Sequence, residues 1–249
     1  MNRSRHRANG TDRASSRLRS AAAYISPGVG PAHQIVTIPP RRDGEITMPA
    51  RMPDGRPLIG TVVRLNAVRP SDAADLFVAL DDERIWQSGY NGGPTSRPTT
   101  AQQLAHRFPE RAERVQYVVR LVADSEFGAA GTVVGTSSLG DVVLADERLH
   151  LGWTAYSPAV WGTAVNPECK LLMLGHAFDD CGFGRVEIQT DAINHRSQAA
   201  IAKLGAVREG VLRRHKVRGD GTFRDTVVFS ILSAEWPAVA QRLRDRIQG

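Results

Sequence analysis

Residues 161–178 read Trp161-Gly-Thr-Ala-Val-Asn-Pro-Glu-Cys-Lys170-Leu-Leu-Met-Leu-Gly-His-Ala-Phe178. Asn166, Pro167 and Glu168 supply an N-cap, a proline at the first helical position and an acid in the first turn. Leu171, Leu174, Phe178 and Cys181 then recur at helical spacing, and Gly182 ends the helix. The small residues Gly162, Thr163, Ala164 and Val165 precede it. Such residues let a ligand approach the backbone, and the first turn of a helix offers unpaired N–H groups carrying a partial positive charge. A pyrophosphate could be held there without any lysine. A plain strand-to-helix turn would use the same residues, so the loop alone does not decide between the two.

Outward from this helix the pattern alternates between sheet and helix. Residues 185–190 read as a strand, with Val186 and Ile188 opposite Glu187 and Gln189. Asn194 caps a helix over 195–204 that Gly205 ends. Strands over 208–217 and 223–232 are joined by Arg218-Gly-Asp-Gly221, and a last helix runs to about residue 247. Upstream, residues 149–156 alternate, placing Leu149, Leu151 and Trp153 on one face and His150, Gly152, Thr154 and Tyr156 on the other. Residues 116–123 and 131–138 are rich in Val and Thr and read as neighbouring strands. A helix over 100–113 should kink or stop early at Pro109. A strand over 61–66 and a helix over 70–80 open the folded part. The expected fold class is α/β in the broad sense (α+β): a mixed, mostly antiparallel twisted sheet flanked by helices on both faces.

The chain has 249 residues and a net charge of +6. Residues 1–60 carry ten arginines and four acids, which accounts for all of that charge. Residues 1–56 are poor in aromatic residues and rich in Pro, Gly and Arg, and are expected to be a disordered basic arm before a domain over 57–249. Nucleic acid is therefore a partner for the arm at most, and not for the domain. No apolar run is long enough to span a membrane and no apolar stretch follows the basic N-terminus, so a cytoplasmic protein is expected. Cys169 and Cys181 lie too far apart along one helix to pair. Neither CxxC nor HExxH occurs, His106, His176, His195 and His215 have no metal-like spacing, and no metal is expected. The Walker A loop, the dinucleotide-binding glycine fingerprint and the GxSxG elbow are likewise absent from the sequence.

The stretches 162–170, His176-Ala-Phe178, Arg185-Val-Glu187, Asn194-His-Arg-Ser197 and Ala200-Ile-Ala-Lys-Leu-Gly205 resemble the GNAT acetyltransferase superfamily. They are similar in particular to its ribosomal-protein N-terminal acetyltransferase-like (RimJ/RimL-like) branch. Glu209-Gly-Val-Leu-Arg213, Arg224-Asp-Thr-Val-Val-Phe-Ser230 and Glu235-Trp-Pro237 extend the likeness, which covers about residues 57–245. The resemblance implies acetyl-CoA as donor and an amine, on a protein N-terminus or a small molecule, as acceptor, in a monomer or homodimer.

It also implies roles. The pyrophosphate would lie on Trp161 to Asn166: Gly162 and Ala164 match the family's loop, while Ala159 stands where Gln or Arg is usual. Trp153, Thr154 and Ala155 would flank the pantetheine arm, and Asn194 would face the donor. Ser197 matches the position of a hydroxyl near the CoA sulfur, the proton donor to the departing thiolate. Relatives often carry Glu as base on the strand before the loop; this chain has His150-Leu-Gly152, with Glu187 or a water as the other candidates for base. Trp86 and Tyr90, beside the pliable Asn91-Gly-Gly-Pro94, are the expected acceptor-binding residues. The alternative to an N-acetyltransferase is a non-catalytic CoA-binding module of the same fold.

Overall fold

The computed structural model describes residues 49–109 and 114–249. Most of the expected arm, residues 1–48, lies outside the described residues. Its described part, residues 49–56, lies against the domain: Arg51 N–H donates to Cys181 O at 2.9 Å, Arg56 pairs with Asp180, and Ala50 packs on the core.

The strands are β1 (Leu58–Ile59), β2 (Val63–Ala67), β3 (Arg114–Leu121), β4 (Val133–Val143), β5 (Arg148–Tyr156), β6 (Arg185–Asp191), β7 (Val207–Val217) and β8 (Phe223–Leu232). The helices are α1 (Ala73–Leu80), α2 (Glu83–Gln87), α3 (Ala101–Ala105), α4 (Val165–Gly175), α5 (His195–Leu204) and α6 (Trp236–Gln248). One eight-stranded sheet runs in the order β1-β2-β3-β4-β5-β6-β8-β7. Every adjacent pair is antiparallel except β5 and β6.

Helices cover both faces, as the alternating order requires. On one face Cys169, Met173 and Leu174 of α4 and Val239 and Leu243 of α6 pack with Tyr117, Leu139, Leu151 and Ile231 from the sheet. On the other, Leu76 and Leu80 of α1, Trp86 of α2 and Leu104 of α3 pack with Val118, Val133 and Ala155.

Three local expectations are corrected. Helix α3 stops at Ala105, well before Pro109, because the proline cannot continue the ladder and disfavours helix in the residue before it. Helix α4 starts one residue before Asn166, with Ala164 at its cap and no side chain capping it. Its C-terminal end widens into a π turn over His176–Asp180. The alternation of β5 also breaks. The β4–β5 register slips between Thr136 and Ser138, so two residues of β5 oppose one of β4. Trp153 takes up the bulge at φ +48°. Its ring then lies 4.7 Å from that of His150, on the opposite face to Leu149 and Leu151, and Tyr156 joins the α4-side core.

Candidate active site

Strands β5 and β6 pair in parallel at Arg148 with Arg185, Leu149 with Val186 and His150 with Glu187. Beyond His150 the two part: β5 keeps its pairing with β4 at Leu151, Gly152, Ala155 and Tyr156, and β6 keeps its pairing with β8 from Ile188 to Asp191. A sheet that parts between two parallel strands leaves main-chain groups open along the gap, at the carboxyl ends where the next loops and helices begin. The bulge at Trp153 and Thr154 lies on β5 just beyond the point where the two strands part.

The loop after β5 leads into α4 through Gly162, which sits at φ +84° with nothing within 4 Å of where a Cβ would point. Thr163 Oγ1 donates to Val160 O at 2.8 Å and receives the Val165 N–H at 3.3 Å. Thr163 thus holds the Val165 N–H, the Glu168 N–H donates to Ala164 O at 3.0 Å and Pro167 has none, so the first turn of α4 offers an anion the Asn166 N–H and the partial positive charge of the helix end. Across the gap Asn194 caps α5, its Oδ1 accepting the Ser197 N–H at 2.9 Å. Ser197 therefore sits half-buried on the first turn of α5. The two walls touch through Arg196, whose guanidinium carbon lies 3.4 Å from the Trp161 ring centroid. The Trp161 indole is itself fixed by donating to Tyr156 O at 2.9 Å.

On the α1–α3 side of the sheet, His150 is 7% exposed. Its Nδ1 lies 3.2 Å from Asp141 Oδ2, and its Nε2 is buried without a hydrogen-bond partner. The hydrogen bond to His150, ahead of other influences, holds the Asp141 carboxyl below the usual carboxylate range. An ionised carboxylate only accepts, so Nδ1 carries a proton, and in the neutral imidazole it is Nε2 that presents the lone pair. Trp153 packs against the imidazole, with the Arg114 guanidinium 4.3 Å from the other ring's centroid. Glu187, level with His150, accepts from Gln189 Nε2 at 2.6 Å and from Arg185 Nη2 at 3.4 Å.

The expected acceptor residues divide. Tyr90 reaches the bulge, donating to Trp153 O at 3.4 Å, and burial pushes its phenol up to about 12. Trp86 is 1% exposed and donates to Leu80 O, so it is core that supports Tyr90 edge-on at 5.3 Å, and not a lining residue. Its side chain fills the α1–α2 side of the sheet, a role the adjacent glycines do not reveal.

Three residues take places that the sequence reading did not assign them. Asp141 becomes legible only when the turn between β4 and β5 brings it back onto His150. Glu168 was visible as a first-turn acid, yet it is buried and accepts the N–H groups of Thr61, Val62 and Val63. Lys170 is 6% exposed, with Nζ donating to Thr154 Oγ1 at 2.9 Å and Ser137 Oγ at 3.3 Å. Its place one turn before Leu174 on the buried stripe of α4 was the available signal. Both cysteines are buried free thiols; burial raises Cys169 and takes Cys181 to about 11, which suits packing and not nucleophilic attack. Among the described residues there is no cluster that could hold a metal ion, and no helix is long and apolar enough to cross a membrane.

Residues 63–207 match the family model for the acetyltransferase (GNAT) domain. Among solved structures, a GCN5-related N-acetyltransferase from Brucella melitensis is 25% identical with a TM-score of 0.69, covering 79% of this chain and 87% of that one. A GNAT-family structure from Chromobacterium violaceum ATCC 12472 is 26% identical with a TM-score of 0.67, over 85% of this chain and all of that one. The ribosomal-protein-S5-alanine acetyltransferase of Vibrio fischeri shares the fold, with a TM-score of 0.58 at 15% identity over 73% of this chain and 98% of that one. Comparison with curated proteins gives no match. The parted parallel strands, the bulge on β5 beside them and the match over residues 63–207 lead to one conclusion: the chain belongs to the GNAT acetyltransferase family.

Proposed function

We propose that the protein transfers the acetyl group of acetyl-CoA to a primary amine by direct attack in a ternary complex, with His150 as general base. The observation that carries this reading is the Asp141–His150 pair, which leaves a buried, unpartnered Nε2 beside the parted strands. An amine is protonated at neutral pH and must lose a proton before it can attack. His150 Nε2 takes that proton, and Asp141 fixes the tautomer and stabilises the imidazolium that results. The amine nitrogen then forms a bond to the thioester carbon, the C–S bond breaks, Ser197 Oγ gives a proton to the departing sulfur, and the second proton lost by the acylated nitrogen restores the serine hydroxyl.

The donor's place is supported by residues that fit it. The start of α4 at Asn166 and the bare side of Gly162 suit a pyrophosphate. The β5 backbone at Trp153, Thr154 and Ala155 suits the pantetheine amides, with Asn194 and Ser197 on the opposite wall. Glu187 is already engaged by Arg185 and Gln189, which makes it a support for the α1–α3 face and the second choice as base.

The test is thiol release from acetyl-CoA against a panel of primary amines. The wild type should release thiol in an amine-dependent way, with kcat/KM rising through a histidine-like pKa once the acceptor's own ionisation is accounted for. His150→Ala should lower kcat by roughly a hundredfold, the usual range for a positioned base, and remove that limb. His150→Glu should restore part of the rate and shift the limb to lower pH, because carboxylates titrate there. Full activity of His150→Ala with an unchanged pH profile would assign the proton to a water or to Glu187. No amine-dependent release from any acceptor would leave a CoA-binding module.

A further inference from the structure

The face of the sheet that carries His150 also carries an excess of cationic side chains. On β6 that face presents Glu187, Gln189 and Asp191, and on β8 their partners Ser230, Val228 and Thr226, followed two residues on by Arg224. Lys216 of β7 is the cross-strand partner of Arg224. The β7 register slips between Leu212 and Lys216, with Arg214 at φ +52°, and this bulge turns His215 toward Thr226, its Nδ1 3.0 Å from Thr226 Oγ1.

Most charges on this face are matched. Arg185 is paired with Glu209 and Glu187, Arg218 makes two bonds to Asp191 at 2.8 and 2.9 Å, and Asp141 is engaged by His150. Lys216 and Arg224 are not. Neither has a carboxylate within salt-bridge distance among the described residues, and Arg224 Nε is buried without a hydrogen-bond partner. The turn between the two residues reaches the loop carrying Tyr90, the Gly219 N–H donating to Gly92 O at 3.1 Å. Burial and then Arg224 lower the Lys216 pKa, while Asp141 and Glu187 oppose that; Lys216 in turn helps to hold the Asp141 carboxyl low.

Two adjacent cations, Arg224 half-buried and Lys216 exposed, that lack a salt-bridge partner make a poor environment for an acceptor that is only an ammonium ion, because like charges this close repel. They suit an acceptor that brings its own anion, since arginine matches a planar oxyanion through paired N–H donors and lysine adds a point charge. Resting on the acetyl-transfer reading above, we propose that Lys216 and Arg224 form an acceptor subsite for an oxyanion, so that the preferred substrate is a small amine carrying a carboxylate or phosphate. The oxyanion docks on the β7–β8 pair while the amine reaches His150 Nε2 on β5.

Thiol release from acetyl-CoA with matched acceptors tests this: free amino acids against their amides, and O-phosphoethanolamine against ethanolamine, with putrescine as a dication. Rates are compared per unprotonated amine. The anionic member of at least one pair should have a kcat/KM at least tenfold higher than its neutral partner, expressed mainly in KM, with putrescine the poorest acceptor. The pair that shows the preference identifies the oxyanion. Lys216→Gln and Arg224→Gln should each shrink the ratio, and Lys216→Glu should favour putrescine. Neutral amines or putrescine performing as well as the anionic acceptors, or a preference that survives in both glutamine variants, would overturn the subsite while leaving acetyl transfer intact. Failure of every acceptor would instead remove the acetyl-transfer reading, and the subsite with it.

Discussion

Glu168 Oε2 accepts the Val63 backbone N–H at 2.6 Å, joining the first turn of α4 to the start of β2. The same carboxylate accepts the N–H groups of Thr61 and Val62 and the Thr61 hydroxyl. A Cβ on Gly60 would stand 2.4 Å from the Glu168 carboxyl carbon, so this turn closes only over a glycine. The helix whose N-terminus is proposed to receive the donor is thus joined to the β1–β2 turn by one acid.

Removing that acid leaves three backbone donors without their partner, each worth about 1–3 kcal/mol where water cannot replace it. Thr61 is exposed and can be rehydrated, whereas Val63 is buried. Glu168→Ala should therefore cost about 3 kcal/mol in all, lowering Tm by roughly 6–12 °C for a domain of this size. Gly60→Ala should fall in the same direction, because backbone or the carboxylate has to move. Denaturant melts with a midpoint equal to wild type in both variants would show that the turn does not depend on this contact.

Lys170 predicts a pH dependence. Its ammonium is surrounded by hydroxyls and no carboxylate, and burial lowers its pKa from 10.5 to about 8. The unfolded chain therefore binds more protons at this site between about pH 8 and 10.5, so its contribution to stability rises with pH across that window. Below it, burying the charged amine costs about 3 kcal/mol. Lys170→Met, which keeps the volume, should be more stable than wild type near pH 7, offset in part by two lost hydrogen bonds. Ser137 and Thr154 still have each other at 2.7 Å. The advantage should shrink steadily from pH 8 to 10. A constant difference between the two proteins over pH 7–10, by chemical denaturation, would mean that this amine is not desolvated.

Much of this fold could be read from local chemistry. Asn194 and Gly205 bound α5 where expected, because a cap and a left-handed glycine each act within one turn. The strands over 185–190 and 223–232 were visible in the alternation of apolar residues, and the loop over 161–166 in its small residues. What could not be read depends on pairings across the sheet. Strict alternation places Trp153 with Leu151, and nothing in the residues announces a bulge that reverses the parity and brings Trp153 to His150. Asp141 meets His150 only because the chain doubles back between β4 and β5. Lys216 and Arg224 become neighbours only through the β7–β8 register. The site was legible where one segment builds it and hidden where two strands must meet.

Gly162 separates two costs that a single substitution usually mixes. At φ +84° an L side chain is strained by about 1–2 kcal/mol, and more when it is β-branched. No protein atom lies within 4 Å of the Cβ position, so the fold itself offers no clash. Gly162→Val should then lower stability by about 2 kcal/mol through the backbone alone. On the proposed placement of the donor it should also weaken acetyl-CoA binding by more than tenfold, because the new side chain would occupy the side from which the pyrophosphate approaches the start of α4. Asparagine tolerates the left-handed conformation, so Gly162→Asn should recover most of the stability and still bind the donor weakly. Calorimetric titration of both variants with acetyl-CoA, beside their melting curves, reads the two effects apart. Wild-type affinity in a well-folded Gly162→Asn protein would take the pyrophosphate away from this loop; affinity that tracks stability in both variants would reduce the glycine to a turn residue.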